Sequence, residues 1–221
     1  MKTVQIAIDG PAGAGKSTIA RLVAQRFNYT YIDTGAMYRA ITLKAMQSKI
    51  DLHDENAFDF IDQTRFDFNN GILYMDDNDV SDLIRTRAVS NHVSLVSSYF
   101  TVRHKLVERQ RQMADQQNVV MDGRDIGYHV LPHAAYKFYL TADVLTRAKR
   151  RFSENQLRGI HSSLEELVEE IKSRDAFDST REHSPLRPAN DAIIIDTSAM
   201  TIETVVLTIE TKVREGEYYG V

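Results

Sequence analysis

At 221 residues and a formal net charge of −4, the chain is sized for one compact domain, or one domain with inserted subdomains, and it lacks the large positive field on which non-specific nucleic-acid binding relies. It contains no cysteine, which excludes a disulfide framework, Cys-ligated zinc and a thiol nucleophile, and suits a reducing compartment. No stretch approaches 18 consecutive apolar residues and Met1-Lys2-Thr3 leads directly into a strand-like run, so a cytoplasmic protein, neither exported nor membrane-spanning, is expected.

In chain order, Val4-Gln5-Ile6-Ala7-Ile8-Asp9 reads as a strand, followed by a glycine-rich turn and an amphipathic helix over 16–27 with Ile19, Leu22, Val23 and Phe27 at helical spacing. A second strand is predicted over 29–33 and a second helix over 37–48. Residues from about 50 to 85 break this pattern. Two short alternating strands, 65–68 and 72–75, flank Asn69-Asn70-Gly71, a hairpin signal. The acidic run Asp76-Asp77-Asn78-Asp79 lacks the glycine and terminal glutamate of a calcium loop and reads as a solvated turn. Further strands follow over 118–122, 136–140 and 192–196 as nearly continuous apolar runs, the pattern of strands buried on both faces. Helices over 102–112, 145–154, 164–174 and 202–213 lie between and after them, so the core is a five-stranded parallel α/β sheet.

Gly10-Pro11-Ala12-Gly13-Ala14-Gly15-Lys16-Ser17 fits G-x-x-x-x-G-K-[ST], follows a predicted strand and opens a predicted helix. In such a loop backbone N–H groups wrap phosphate oxygens, the helix N-terminus adds favourable partial charge, Lys16 reaches the β and γ phosphates, and Ser17 ligates Mg²⁺. ATP with Mg²⁺ is the expected donor, held by these residues and Thr18. A phosphate loop names the donor and leaves the acceptor open. Asp122-Gly123-Arg124-Asp125 directly follows the third core strand, where open parallel sheets place ligands. An acid there can hold the Mg²⁺ shell through water and an arginine can grip a phosphate bidentately; the plainer alternative is a charged turn.

Ile8-Asp9-Gly10-Pro11, Asp33-Thr34-Gly35-Ala36-Met37-Tyr38-Arg39, Asp122-Gly123-Arg124-Asp125 and Arg174-Asp175-Ala176-Phe177-Asp178-Ser179-Thr180-Arg181 together resemble the bacterial cytidylate kinases, nearly end to end. The resemblance implies a single P-loop kinase domain whose core comprises 1–34, 103–146 and 164–221. A monophosphate-binding insert over 35–102 would hold a small antiparallel sheet, and a short lid would cover 147–163. It also implies transfer of the γ-phosphoryl group of ATP to CMP or dCMP by in-line displacement, in a monomer with no nucleic-acid or membrane partner.

Carried over by position, the resemblance assigns Lys16, Asp122, Arg124, Arg147 and Arg151 to catalysis, and Ser17 with Asp122, through water, to the metal. Thr34 lies near the acceptor sugar, Arg39, Arg124 and Arg181 on its phosphate, and Ser94, Arg103 and Asp125 at the base. Asp178 holds the sugar. Tyr38 belongs to the acceptor pocket by position, although Tyr38, Tyr31 and Phe27 read first as core. Other readings stay open. Arg39 and Arg103 can lie along helix faces, Asp178 can pair with Arg174 or Arg181, and Asp33 can touch Mg²⁺ or cap a turn. Arg147-Ala148-Lys149-Arg150-Arg151 can be a solvated face or a phosphate clamp whose like charges meet only around substrate. Another P-loop small-molecule kinase, or a nucleotide-dependent switch binding polyanions at 103–111 or 147–151, is the alternative function.

Overall fold

A computed structural model describes residues 3–69, 71–157 and 159–218. Strand β1 (Gln5–Asp9) runs through the phosphate loop into helix α1 (Lys16–Phe27), then β2 (Thr30–Asp33) and α2 (Thr34–Gln47). A kinked 3₁₀ segment (Glu55–Gln63) leads to β3 (Phe66–Asn69), β4 (Ile72–Met75) and β5 (Asn78–Asp79), and a short 3₁₀ turn to α3 (Arg87–Val96). The chain continues through α4 (Phe100–Gln116), β6 (Val119–Gly123), a π-helical turn (Ile126–Val130), β7 (Tyr136–Thr141), α5 (Val144–Leu157), α6 (Leu164–Thr180), β8 (Ile193–Asp196) and α7 (Ile202–Tyr218). Among the described residues no helix is long and apolar enough to cross a membrane.

The five strands read from the sequence form one parallel sheet in the order β2-β6-β1-β7-β8, with β1 at its centre. Period-two alternation divides its faces. Ile6 and Ile8 pack with Val23 of α1 and Val206 and Ile209 of α7, whereas Ala7 faces Met37 and Ile41 of α2 and Leu106 of α4. The chain leaves β1 toward one edge and later builds toward the other, so the ligand crevice opens at the carboxyl ends of β1 and β6.

The insert carries a second sheet, β3-β4-β5, antiparallel throughout, as the hairpin signal requires. Of the turn between its first strands, Asn70 lies outside the described residues, as do Met1, Lys2 and Arg158 elsewhere. The acidic run is part turn and part strand: Asp76 and Asp77 take positive φ, and Asn78–Asp79 pair with β4. Leu73, Met75, Val80 and Ile84 bury against Ala36, Ala40 and Leu43, so the small sheet is built on α2.

Several boundaries differ from expectation for local reasons. Helix α2 begins at Thr34, three residues early, because the Asp33 carboxylate accepts from Ala36 N at 2.9 Å and caps it. Helix α6 runs on to Thr180 from a complete Ser163/Glu166 capping box, which places Arg174 and Asp178 one turn apart on one face. Helix α3, capped by Thr86, and the π-helical turn after β6 were not anticipated.

Candidate active site

Backbone sterics fix the phosphate loop. Gly10 has φ +147°, and a Cβ there would lie 2.0 Å from the Leu140 carbonyl oxygen, so no other residue fits. Gly13, at φ +75°, lies against the Arg147 side chain, whose Nη1 donates to the Ala12 carbonyl at 3.0 Å and whose Nε donates to Ala142 O at 2.9 Å. Lys16 opens α1 and is 6% exposed, its ammonium donating to Pro11 O at 2.8 Å. Ser17 Oγ donates to Asp122 Oδ2 at 3.0 Å, and the Tyr31 hydroxyl donates to Asp122 Oδ1 at 2.8 Å. Burial and the nearby Asp33 raise the Asp122 carboxyl above its ordinary range. Burial and Arg124 lower the Lys16 ammonium.

In front of this loop lies a cleft of about 610 Å³, within the size range of small-molecule sites. Lys16, Arg39, Arg124, Arg151 and Arg174 all line it. Burial first, then the neighbouring Arg174 and Arg151, brings Arg39 down to about 9; burial and Arg124 bring Arg174 down to about 10. Guanidinium groups crowded together and buried in this way stay charged near neutral pH and fit an anion of high charge between them.

A smaller cavity of about 60 Å³ adjoins the cleft and shares Arg39, Arg124 and Arg174 with it. The Arg103 guanidinium pairs with Asp125 through Nη2, donates to Ser97 O at 3.1 Å and lies 5.5 Å from the Tyr38 ring centroid. Arg181 Nη2 is 3.8 Å from Asp125 Oδ1, and Arg181 Nε donates to Ser184 O. Arg124 Nε donates to Asp178 Oδ2 at 3.0 Å, and Arg174 Nε is 4.0 Å from the same oxygen. Against the burial that would raise it, Arg124 and Arg174 hold the Asp178 carboxyl low. The Tyr38 hydroxyl, Arg103 Nε, Arg174 Nε and Arg181 Nη2 are buried without a hydrogen-bond partner, which is costly unless a ligand supplies one.

The structure thus gathers Ala12, Gly13, Gly15, Lys16 and Ser17 of the phosphate loop with Thr18, Asp122, Arg124 and Arg151 at the cleft, whereas Gly10, Pro11 and Ala14 of the loop do not line it; Thr34, Tyr38, Arg39, Arg103, Asp125, Asp178 and Arg181 line the adjoining cavity. Asp33 caps α2 through Oδ1, while its Oδ2 lies 3.6 Å from Arg85 and the residue also lines the cleft. The Thr34 hydroxyl is already committed, donating to Asp122 O at 2.7 Å. Ser94 sits half-buried on α3 and does not line the cavity; Ser97, one turn on, does.

The arginines of the basic cluster of α5 are dispersed among different partners. Arg147 pairs with Asp175 behind the loop, Arg150 donates to Thr197 Oγ1 and O, and only Arg151 faces the cleft. Their charges are therefore held apart by protein partners rather than converging. Arg174 went unassigned in the sequence although it lines both cavities; its four-residue spacing from Asp178 on a helix was the available signal.

Comparison with known proteins agrees with this geometry. A family profile described as cytidylate kinase matches residues 6–215. A cytidylate kinase of Bacillus pumilus (strain SAFR-032) is 51% identical over 205 residues, covering 90% of this chain and 91% of its own. One of Bacillus thuringiensis (strain Al Hakam) is 47% identical over the same coverage. Among solved structures, an uncharacterized protein of Eubacterium ventriosum ATCC 27560 superposes with a TM-score of 0.55 at 12% identity, covering 96% of this chain and 99% of its own. A gluconokinase of Sinorhizobium meliloti 1021 gives 0.50 at 12% identity, covering 98% and 95%. At such identities these two speak to fold alone.

Proposed function

The chain belongs to the cytidylate kinase family, and from that membership we infer that it transfers the γ-phosphoryl group of ATP to CMP or dCMP, giving CDP or dCDP and ADP. The single observation that carries the site assignment is the set of mutually opposed cations, Lys16, Arg39, Arg124, Arg151 and Arg174, between the phosphate loop and the Arg103–Asp125 pair. A donor triphosphate on one side and an acceptor monophosphate on the other neutralise that set together. Phosphoryl transfer needs little beyond such positioning and charge neutralisation, so no protein nucleophile is invoked.

On this reading the phosphate loop holds the donor phosphates, with Lys16 leaving Pro11 O for the β and γ oxygens. Arg147 acts from behind by fixing the Ala12 carbonyl, and Arg151 meets the transferring group. Arg39 and Arg124, joined by Arg174 and Arg181, hold the acceptor phosphate, while Asp178 and Thr34 lie along its sugar. Arg103 and Asp125 read the base above Tyr38. A carboxylate facing the 4-amino group of cytosine has a donor to accept from. Facing the carbonyl of uracil it has none, a mismatch of about 1–3 kcal/mol.

The side-by-side Ser17 hydroxyl and Asp122 carboxylate form an oxygen set suited to a hard cation, and among the described residues no cluster of three or more acidic or histidine side chains offers an all-protein cage. These residues would hold Mg²⁺, Asp122 through water, with phosphate and water completing its shell. When bound, the ion neutralises charge on the phosphates. Residues 35–102 serve as the acceptor-binding insert and 147–163 as the lid, in a cytoplasmic monomer.

A coupled assay of ADP formation with CMP, dCMP, UMP and AMP in turn tests this assignment. CMP and dCMP are expected to be the efficient acceptors; preference for AMP, or equal use of CMP and UMP, would overturn it.

A further inference from the structure

One buried carboxylate stands between the two halves of the site without lining either cavity. Asp9 ends β1 and immediately precedes the first glycine of the phosphate loop. It is 2% exposed, and both of its oxygens are engaged: Oδ1 accepts from Ile126 N at 2.8 Å and Oδ2 from Gly127 N at 2.7 Å. Those amides directly follow Arg124 and Asp125, proposed above to hold the acceptor phosphate and base. They also open the π-helical turn Ile126–Val130, where backbone donors have no partner within the turn. Asp125 O accepts from His129 N at 2.9 Å at the same turn, so Asp125 is held through the peptide frame that Asp9 grips.

The sequence around the contact is shaped to it. A Cβ on residue 127 would lie 3.3 Å from Asp9 Oδ2 and 3.3 Å from the Lys137 side chain, so glycine permits the close approach. The groups facing Asp9 are the two amides, Asp125 beyond them, Lys16 from α1 and Tyr139 from the neighbouring β7. Burial raises its carboxyl to about 7, while the Gly127 and Ile126 amides pull the other way and favour the ionised form that accepts from both. Asparagine would turn an NH₂ toward one of the amide donors and leave that donor unmatched. Only a carboxylate offers two acceptors to two adjacent N–H groups.

We propose that Asp9 is a positioning residue for the acceptor: it ties the strand that feeds the phosphate loop to the loop that carries Arg124 and Asp125, and so fixes the acceptor's phosphate and base contacts relative to the donor. This rests on the reading of Arg124 and Asp125 given above. Asp9 touches neither substrate and acts through the Ile126 and Gly127 amides.

The test compares the parent with Asp9→Asn and Gly127→Ala in steady-state assays against CMP, UMP and ATP, with far-UV CD and amide hydrogen exchange on each. In Asp9→Asn the KM for CMP is expected to rise on the order of tenfold or more and the CMP-over-UMP preference to fall, while the KM for ATP moves much less. Exchange at the 126 and 127 amides should accelerate. Gly127→Ala, which presses on the same contact without removing the charge, should shift KM and selectivity in the same direction by a smaller factor. It decides the matter if Asp9→Asn does not fold. A residue serving only folding would lower the active fraction, reducing kcat equally for all substrates and leaving KM and selectivity unchanged; that result, or wild-type kinetics in both variants, overturns the proposal. Should the parent prefer another monophosphate, the reading of the acceptor fails, and the same comparison run with that acceptor still decides the role of Asp9.

Discussion

Arg147 and Asp175 form an ion pair of 2.6 Å that joins α5 to α6 behind the phosphate loop, with the same guanidinium holding the Ala12 carbonyl. The phosphate loop is therefore connected to the helix that carries Arg151 and to the helix that carries Arg174. Asp175→Asn leaves the buried guanidinium without its countercharge. It is expected to cost about 1–3 kcal/mol of stability and to raise the KM for ATP more than that for CMP. Urea unfolding and steady-state kinetics check both; an unchanged unfolding midpoint and unchanged KM for ATP would show the pair to be incidental.

Lys16 gives a prediction on activity and one on stability. Lys16→Met should lower kcat by on the order of 10²-fold or more, since it removes a charge aimed at the transferring phosphates. The folded state lowers the Lys16 pKa below its ordinary 10.5, so it binds that proton less tightly than the unfolded chain does. Stability then rises with pH through that window, and the penalty is fully present below it. The Tm of Lys16→Met should exceed that of the parent near pH 7, with the difference closing toward pH 10. A folded, fully active variant would remove Lys16 from the mechanism.

The Arg103–Asp125 pair is buried on both sides, with side chains 4% and 6% exposed. Arg103→Ala or Asp125→Ala alone strands a charge and is expected to cost about 3–5 kcal/mol. Removing both should cost less than the sum of the two. All three variants should lose preference for CMP over UMP. Equal loss of rate on both acceptors, with the ratio kept, would assign the pair to structure rather than to the base.

Arg151 is the one arginine of the α5 cluster that faces the cleft. Water competes with CMP for the activated phosphoryl group, so a segment that closes over both substrates is useful. Arg151→Ala should therefore lower kcat far more than it raises the KM for CMP, the pattern of a contact made in the transition state. Amides over 154–163 should gain exchange protection only when both substrates, or a bisubstrate analogue, are bound. Equal protection in all states, with near-normal turnover in the variant, would identify a solvated helix face.

Much of this was legible in the chain because the signals are local. The phosphate loop needs eight consecutive residues, and each core strand announces itself as an apolar run, so β1, α1 and the sheet followed directly. The insert hairpin followed from its turn. What escaped depends on partners distant in sequence: Arg124 and Asp178 are 54 residues apart, and Asp9 meets residues 117 and 118 away. A carboxylate before a phosphate loop carries no local mark of the amides it will hold. The partner of Arg147 was hidden for the same reason, since helical spacing places Arg147 and Arg151 on one face without revealing that Asp175 comes to meet the first. Helix α3 was hidden by its short apolar pattern, of which Val89, Val93 and Val96 are the buried part.

Direct accounting of products from the parent enzyme, by ³¹P NMR of ATP and Mg²⁺ with and without CMP, tests the central claim most simply. The account predicts that ADP and CDP form in equal amounts when CMP is present, with almost no ADP or free phosphate in its absence. ADP formation matched by inorganic phosphate, at the same rate whether or not CMP is added, would contradict it.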